Sequence, residues 1–168
     1  MKRIASIQDV SCLGRCSQTV ALPVVSTMGV ECAILPTAVL STHTSFPDFR
    51  CLDLTDQLLP VARHWKAQGV RFDALYTGYL ASDRQVAVVL ELLELLREEG
   101  TLLFVDPAMA DHGKLYAGFG PEFPALMAQV VSKAQITVPN ITEASLMTGL
   151  PYREDYDEAY VKALLRGV

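Results

Sequence analysis

Two short stretches gather the residues best suited to chemistry. They are Val105-Asp106-Pro107-Ala108-Met109-Ala110-Asp111 and, about thirty residues on, Val138-Pro139-Asn140-Ile141-Thr142-Glu143. Each follows a short apolar run that reads as a buried strand, Thr101 to Val105 and Ile136 to Val138. Each therefore sets acidic and amide groups where a strand gives way to a loop. In open α/β sheets that carboxyl edge is where ligands bind. Carboxylates gathered there without a histidine or cysteine suit a hard, oxygen-preferring cation such as Mg²⁺, which commonly bridges to phosphates. The chemistry favoured is phosphoryl transfer.

The same residues have plainer uses. A carboxylate before Pro107 can start a turn or cap a helix. Asn140-Ile141-Thr142-Glu143 has the N-x-x-E form of a capping box, with each end satisfying the other's backbone N–H. The two readings are compatible, because a helix N-terminus with free N–H groups also favours anions. Other phosphate and hydrolase motifs are absent. Gly14 stands alone after the first strand, so neither G-x-G-x-x-G nor G-x-x-x-x-G-K-[ST] can be written. There is no G-x-S-x-G and no H-E-x-x-H.

The elements that must position these groups alternate between short apolar runs and longer helical ones. Arg3 to Gln8 reads as a strand, Asp9 to Cys16 as a loop, and Gln18 to Met28 as a helix. Glu31 to Val39 is the next strand, followed by loop Ser41 to Phe49 and helix Thr55 to Gln68. Strand Ala74 to Thr77 ends in Gly78-Tyr79. Ser82-Asp83-Arg84-Gln85 has the capping-box form ahead of a helix, with Val86, Val89, Leu90, Leu93 and Leu96 at helical spacing and Gly100 as its stop. Strand Thr101 to Val105 leads through a loop to helix Pro121 to Lys133. Strand Gln135 to Val138 leads to helix Ile141 to Met147, closed by Gly149, and a last helix spans Asp157 to Leu165. Strands alternating with helices predict a parallel sheet covered on both faces and joined by right-handed crossovers.

Composition narrows the function. The 168 residues suit about one domain, with 51% hydrophobic and 20% charged residues. A net charge of −5 and no Lys/Arg cluster argue against a nucleic-acid partner. Cys12, Cys16, Cys32 and Cys51 lack CxxC spacing, and His43, His64 and His112 lack ligand spacing, which argues against zinc. The thiols read as reduced, in a cytoplasmic protein. Met1 to Ile7 is too short for a signal-peptide core. Pro23, Gly29, Glu31 and Pro36 break the apolar stretch from Val20 to Leu40, so no membrane span is expected.

Several pieces occur in order: Ser6-Ile7-Gln8 with Gly14, Leu40-Ser41-Thr42-His43-Thr44, Thr77-Gly78-Tyr79, Asp106 through Asp111, and Pro139-Asn140 through Glu143 with Thr148-Gly149. Together they resemble the pyridoxal/pyridoxamine kinases of the ribokinase-like superfamily. D-P-x-M-x-D and P-N-x-x-E are shared across the superfamily, while S-x-H-T and T-G-Y point to vitamin B6 kinases. The resemblance implies a Rossmann-like three-layer α/β/α fold with a mostly parallel sheet. It makes residues 1–168 the substrate-binding N-terminal portion of a kinase domain whose C-terminal part is missing.

The implied reaction phosphorylates the 5′-hydroxyl of a vitamin B6 vitamer with ATP and Mg²⁺, in a cytoplasmic homodimer. Asp9, His43, Thr44 and Tyr79 would contact the vitamer, with Asp9 standing where many relatives have serine. Asp106, Asp111, Asn140 and Glu143 would serve the nucleotide and its phosphates, and Asp106 and Glu143 would hold Mg²⁺ largely through water. Val138 stands where relatives often have threonine and Gln135 where they often have aspartate. No catalytic base is expected among these residues. The family's G-x-G-D segment, which supplies it, has no counterpart before Val168, so the chain alone is expected to be inactive. The alternatives are a hydroxymethylpyrimidine or sugar kinase on the same scaffold, or a non-catalytic remnant that only binds ligand or partner chains.

Overall fold

The computed structural model describes residues 1–168. From the N-terminus run β1 (Arg3–Ser11), α1 (Gln18–Thr27), β2 (Glu31–Leu40), β3 (Cys51–Asp53), α2 (Thr55–Ala67), β4 (Ala74–Thr77) and α3 (Asp83–Leu96). Then come β5 (Leu102–Val105), β6 (Ala110–Asp111), β7 (Lys114–Leu115), α4 (Phe123–Val131), β8 (Ile136–Thr137), α5 (Ile141–Thr148) and α6 (Glu158–Gly167). The main sheet has six strands in the order β3-β2-β1-β4-β5-β8, all parallel except β3. This is the expected α/β sheet with helices on both faces.

Chain direction decides which face each helix takes. The step from β1 to β2 runs one way along the sheet, and the steps from β2 to β4, β5 and β8 run the other. Right-handed crossovers then place α1 on one face and α2, α3 and α4 on the other. The main core lies under α2 to α4, where Ala5, Ile7, Leu35, Leu75, Leu103 and Val105 of the strands meet Leu58, Val89, Leu93 and Met127 of the helices. On the opposite face α1 is the only crossover helix. Tyr76 and Phe104, on neighbouring strands, meet there edge to face at 5.1 Å and stay half-exposed.

Several boundaries differ from the sequence reading, each for a local reason. β1 continues to Ser11 because Val10 and Ser11 keep pairing with Val39 and Leu40. The register slips on the way: Gln8 faces Pro36 but Val10 faces Val39, so β2 carries one extra residue opposite Asp9. Pro36 lacks an N–H, and such a bulge is where a strand proline is tolerated. β3 is an antiparallel edge too short to show periodicity. The β6–β7 ribbon is equally short, and turns at His112 and Gly113, both at positive φ.

Only half of the expected capping box on α3 forms. Ser82 Oγ accepts from the Gln85 N–H at 3.2 Å. The Gln85 side chain instead accepts from the Ala81 N–H and donates to Thr37 O and Thr55 Oγ1, bolting α3 to β2 and α2. Gly100 does not end α3. The helix stops at Leu96, with Arg97 in extended conformation, and Gly100 serves the turn into β5. Gly149 does close α5, in the left-handed conformation at φ 74°.

Candidate active site

One cavity of about 670 Å³ opens at the carboxyl edge of β1, β2, β4 and β5. Its walls are assembled from loops that are distant in sequence. Asp9 and Ser11 end β1, His43, Thr44 and Ser45 follow β2, Gly78 and Tyr79 follow β4, and Asp106, Ala108 and Asp111 follow β5. The α1 side adds Cys16, Ser17, Val20, Ala21, Val24 and Val25, and Tyr116 and Ala117 close the far end. Asp9, His43, Thr44, Tyr79, Asp106 and Asp111 therefore share one space. Asn140 and Glu143 do not line it.

Asn140 and Glu143 stand behind the loop that carries the aspartates. Asn140 Oδ1 accepts from the Glu143 N–H at 3.0 Å, and Glu143 Oε2 accepts from the Asn140 N–H at 2.8 Å. The Asn140 amide donates to Ala110 O at 2.8 Å, and Glu143 Oε1 accepts from the Met109 N–H at 3.2 Å. The capping box is thus also the brace that fixes Met109 and Ala110, between the two cavity aspartates. Burial drives the Glu143 carboxyl up to about 7 against the pull of its backbone donors, and the nearby Asp106 charge adds to the rise. Burial likewise raises Asp106.

The aromatic wall is held from outside. The Phe119 ring lies 5.7 Å from that of Tyr79 and stacks at 3.9 Å on Phe123, the buried first residue of α4. Burial, with the charges of Asp9, Cys51 and Tyr116 as lesser causes, pushes the Tyr79 phenol up to about 12, so it is a hydrogen-bond donor at neutral pH. His43 meets Phe46 edge to face at 4.8 Å. Gly14 is required beside it: φ is +121°, and a Cβ there would lie 2.9 Å from His43 Cδ2. Gly78 is as tight, since a Cβ would lie 2.8 Å from Gln8 Oε1.

No group of three or more acidic, histidine or cysteine side chains is arranged to hold a metal ion. Asp106 accepts no hydrogen bond from the protein, Asp111 accepts from the His112 N–H, and both Glu143 oxygens are taken by backbone. That sparse set fits Mg²⁺, which keeps several waters and takes phosphate oxygens, and does not fit an ion caged by protein. Sequence reasoning missed Tyr116, Tyr76 and the α1 wall. Tyr116 sits in an aperiodic loop and gave no signal. The apolar run of α1 was visible, but nothing in it said that part of the run would face a ligand space. Gln135 has a structural use, since its Oε1 accepts from the Leu103 N–H at 2.8 Å and extends the β5–β8 pairing.

No family model matches the chain. A pyridoxal kinase from Arabidopsis thaliana is 30% identical over 97% of the chain, which covers 54% of that relative. Two solved structures are similar. One, from Bacteroides thetaiotaomicron, is described as a phosphomethylpyrimidine kinase in a crystal form with pyridoxal. It is 41% identical with a TM-score of 0.93, over 98% of this chain and 58% of that one. The other, a pyridoxal kinase from Lactobacillus plantarum, is 36% identical with a TM-score of 0.88, over 99% of this chain and 60% of that one. The chain spans about half the length of the curated relatives it matches.

Proposed function

The chain is a member of the pyridoxal kinase family with the ribokinase-like fold, and on that footing we propose that it is the vitamer-binding portion of a kinase domain that phosphorylates the 5′-hydroxyl of a vitamin B6 compound with ATP. The observation that carries this is the single cavity shared by Asp9, His43, Thr44 and Tyr79 on one side and Asp106 and Asp111 on the other. The first group would surround a planar ring. The second places carboxylates where a phosphate and its cation would arrive.

Phosphoryl transfer needs little covalent help from a protein and depends on positioning and charge neutralisation. Tyr79, fixed through Phe119 and Phe123, walls the ring. His43 is seated by Phe46 and by the space Gly14 leaves. Asp106 and Asp111 would hold Mg²⁺ mostly through water, and bound Mg²⁺ would neutralise phosphate charge. Asn140 and Glu143 keep the aspartate loop rigid from behind. Removing the proton from the acceptor hydroxyl requires a base within about 3 Å. No G-x-G-D segment occurs in these 168 residues, so we assign that step to a part of the family's domain that they do not include. The same reading carries a cytoplasmic, homodimeric kinase. The free thiols of all four cysteines suit a reducing compartment, and no helix is long and apolar enough to cross a membrane.

Titration of the 168-residue chain with pyridoxine, followed by heat or by ring absorbance, tests the reading. Saturable binding that Tyr79→Ala weakens about tenfold is expected, with no phosphorylation when Mg·ATP is added. Absence of vitamer binding, or robust turnover by this chain, would overturn it. In a protein spanning the whole family domain, Glu143→Ala should cost about 2–4 kcal/mol of transition-state stabilisation and change the magnesium dependence of the rate. An unchanged rate would show that the brace on the aspartate loop does not contribute to transfer.

A further inference from the structure

The cavity has an unbalanced charge. Asp9, Asp106 and Asp111 line it, His43 is its single basic side chain, and no lysine or arginine reaches it. Asp9 is the unusual member. It is only 3% exposed, its Oδ2 accepts from Ser11 Oγ at 3.1 Å, and no other donor of the protein bonds to the carboxylate. A buried carboxylate with one neutral hydroxyl as partner is unfavourable unless a cation or strong donor completes it. The groups around it do not do so: Tyr79 and Cys51 only feel its charge, which helps raise both. Asp9 lines the cavity, so a ligand bound there can bring the second partner.

We propose that Asp9 is the counter-charge of the bound ring. The ligand enters as a protonated nitrogen heterocycle whose ring N–H⁺ donates to the free Asp9 oxygen, so the site selects cationic rings over neutral isosteres of the same shape. This rests on the vitamer reading and goes beyond it, because it names the protonation state that is bound and the residue that selects it. A carboxylate close to a ring nitrogen favours the protonated form. A planar cation is also well placed against an aromatic wall such as Tyr79. A ring hydroxylate turned to Asp9 would instead meet like charge, which fixes the ring's orientation in the cavity.

The test uses the whole 168-residue chain and two probes, pyridoxine and its carbocyclic isostere with C–H in place of the ring nitrogen. Asp9→Asn should weaken pyridoxine by about tenfold or more and leave the isostere unchanged within twofold. Wild type should bind pyridoxine with the absorption band of the N-protonated ring. Asp9→Ser, which keeps a small polar group, serves as the second variant should Asp9→Asn fail to fold by circular dichroism. Equal loss for both probes, or an unchanged pyridoxine affinity in the variants, overturns the role of Asp9 while leaving the vitamer reading intact. Failure of the wild type to bind pyridoxine at all overturns both.

Discussion

Glu143 Oε1 accepts from the Met109 N–H at 3.2 Å, so the first turn of α5 and the loop after β5 form one corner, locked by a carboxyl that burial brings to about 7. A carboxyl with a raised folded-state pKa holds its proton more tightly when folded than when unfolded. Its contribution to stability is therefore fully present below its ordinary value of 4.5 and is lost as pH rises towards about 7. Without magnesium, wild type should gain on Glu143→Gln by on the order of 2 kcal/mol as pH falls from 7 to 5. Parallel urea titrations of the two proteins measure this, and parallel pH profiles would show that the carboxyl is not coupled to folding.

Gly14→Ala should separate the cavity from the fold. The residue keeps φ +121°, and the added methyl would reach to 2.9 Å from His43 Cδ2. The backbone strain costs about 1–2 kcal/mol, and the displaced His43 should weaken pyridoxine binding by a further factor of about ten. Calorimetric titration of the variant next to its thermal melt reads both. Affinity equal to wild type would mean that His43 does not face the ligand.

Gln85→Ala should be worse than Ser82→Ala. Ser82 supplies one N-cap acceptor, worth about 1 kcal/mol. Fully buried Gln85 satisfies Ala81 N–H, Thr37 O and Thr55 Oγ1. Removing it leaves the Ala81 N–H without an acceptor and takes one of two partners each from Thr37 O and Thr55 Oγ1, which should cost about 2–4 kcal/mol. Melting temperatures of the two variants decide the order.

β8 pairs with β5 and has no neighbour on its other side, and Ile136 and Val138 are 42% and 48% exposed beside that edge. An open, apolar edge invites pairing with another chain. Light scattering of the 168-residue chain should show mass rising with concentration, and Ile136→Lys should suppress the rise. A monomer at all concentrations would show that the edge is already protected.

The parts of this fold legible in sequence were those with a period. α3 announced itself through Val86, Val89, Leu93 and Leu96, and the five parallel strands through short apolar runs. β3, β6 and β7 are two or three residues long and had no pattern to show. The Asn140–Glu143 capping box was visible in full, but its second duty was not, because the bonds to Met109 and Ala110 depend on where the β5 loop returns. Gln85 looked like a local cap because its nearest partner in sequence is Ser82. Its side chain turns away from Ser82 to Ala81 and to partners 30 and 48 residues away. The cavity aspartates could be picked out by residue type, and Tyr116 could be found only by folding the chain.

Because β2 has one residue more than β1 across Asp9, it leaves that point in the opposite phase of its pleat. Leu35 and Thr37 are buried before the change of phase, and Ala38 and Leu40 after it. Parity of this kind cannot be altered by exchanging side chains, only by altering the length of the chain. Deleting Thr37 or Ala38 would rotate Leu40 out of the cavity wall and carry His43 and Thr44 to the wrong side of the edge. Ligand preference on this wall is thus open to drift by point substitution, while a single lost codon at positions 37–38 would erase the wall altogether.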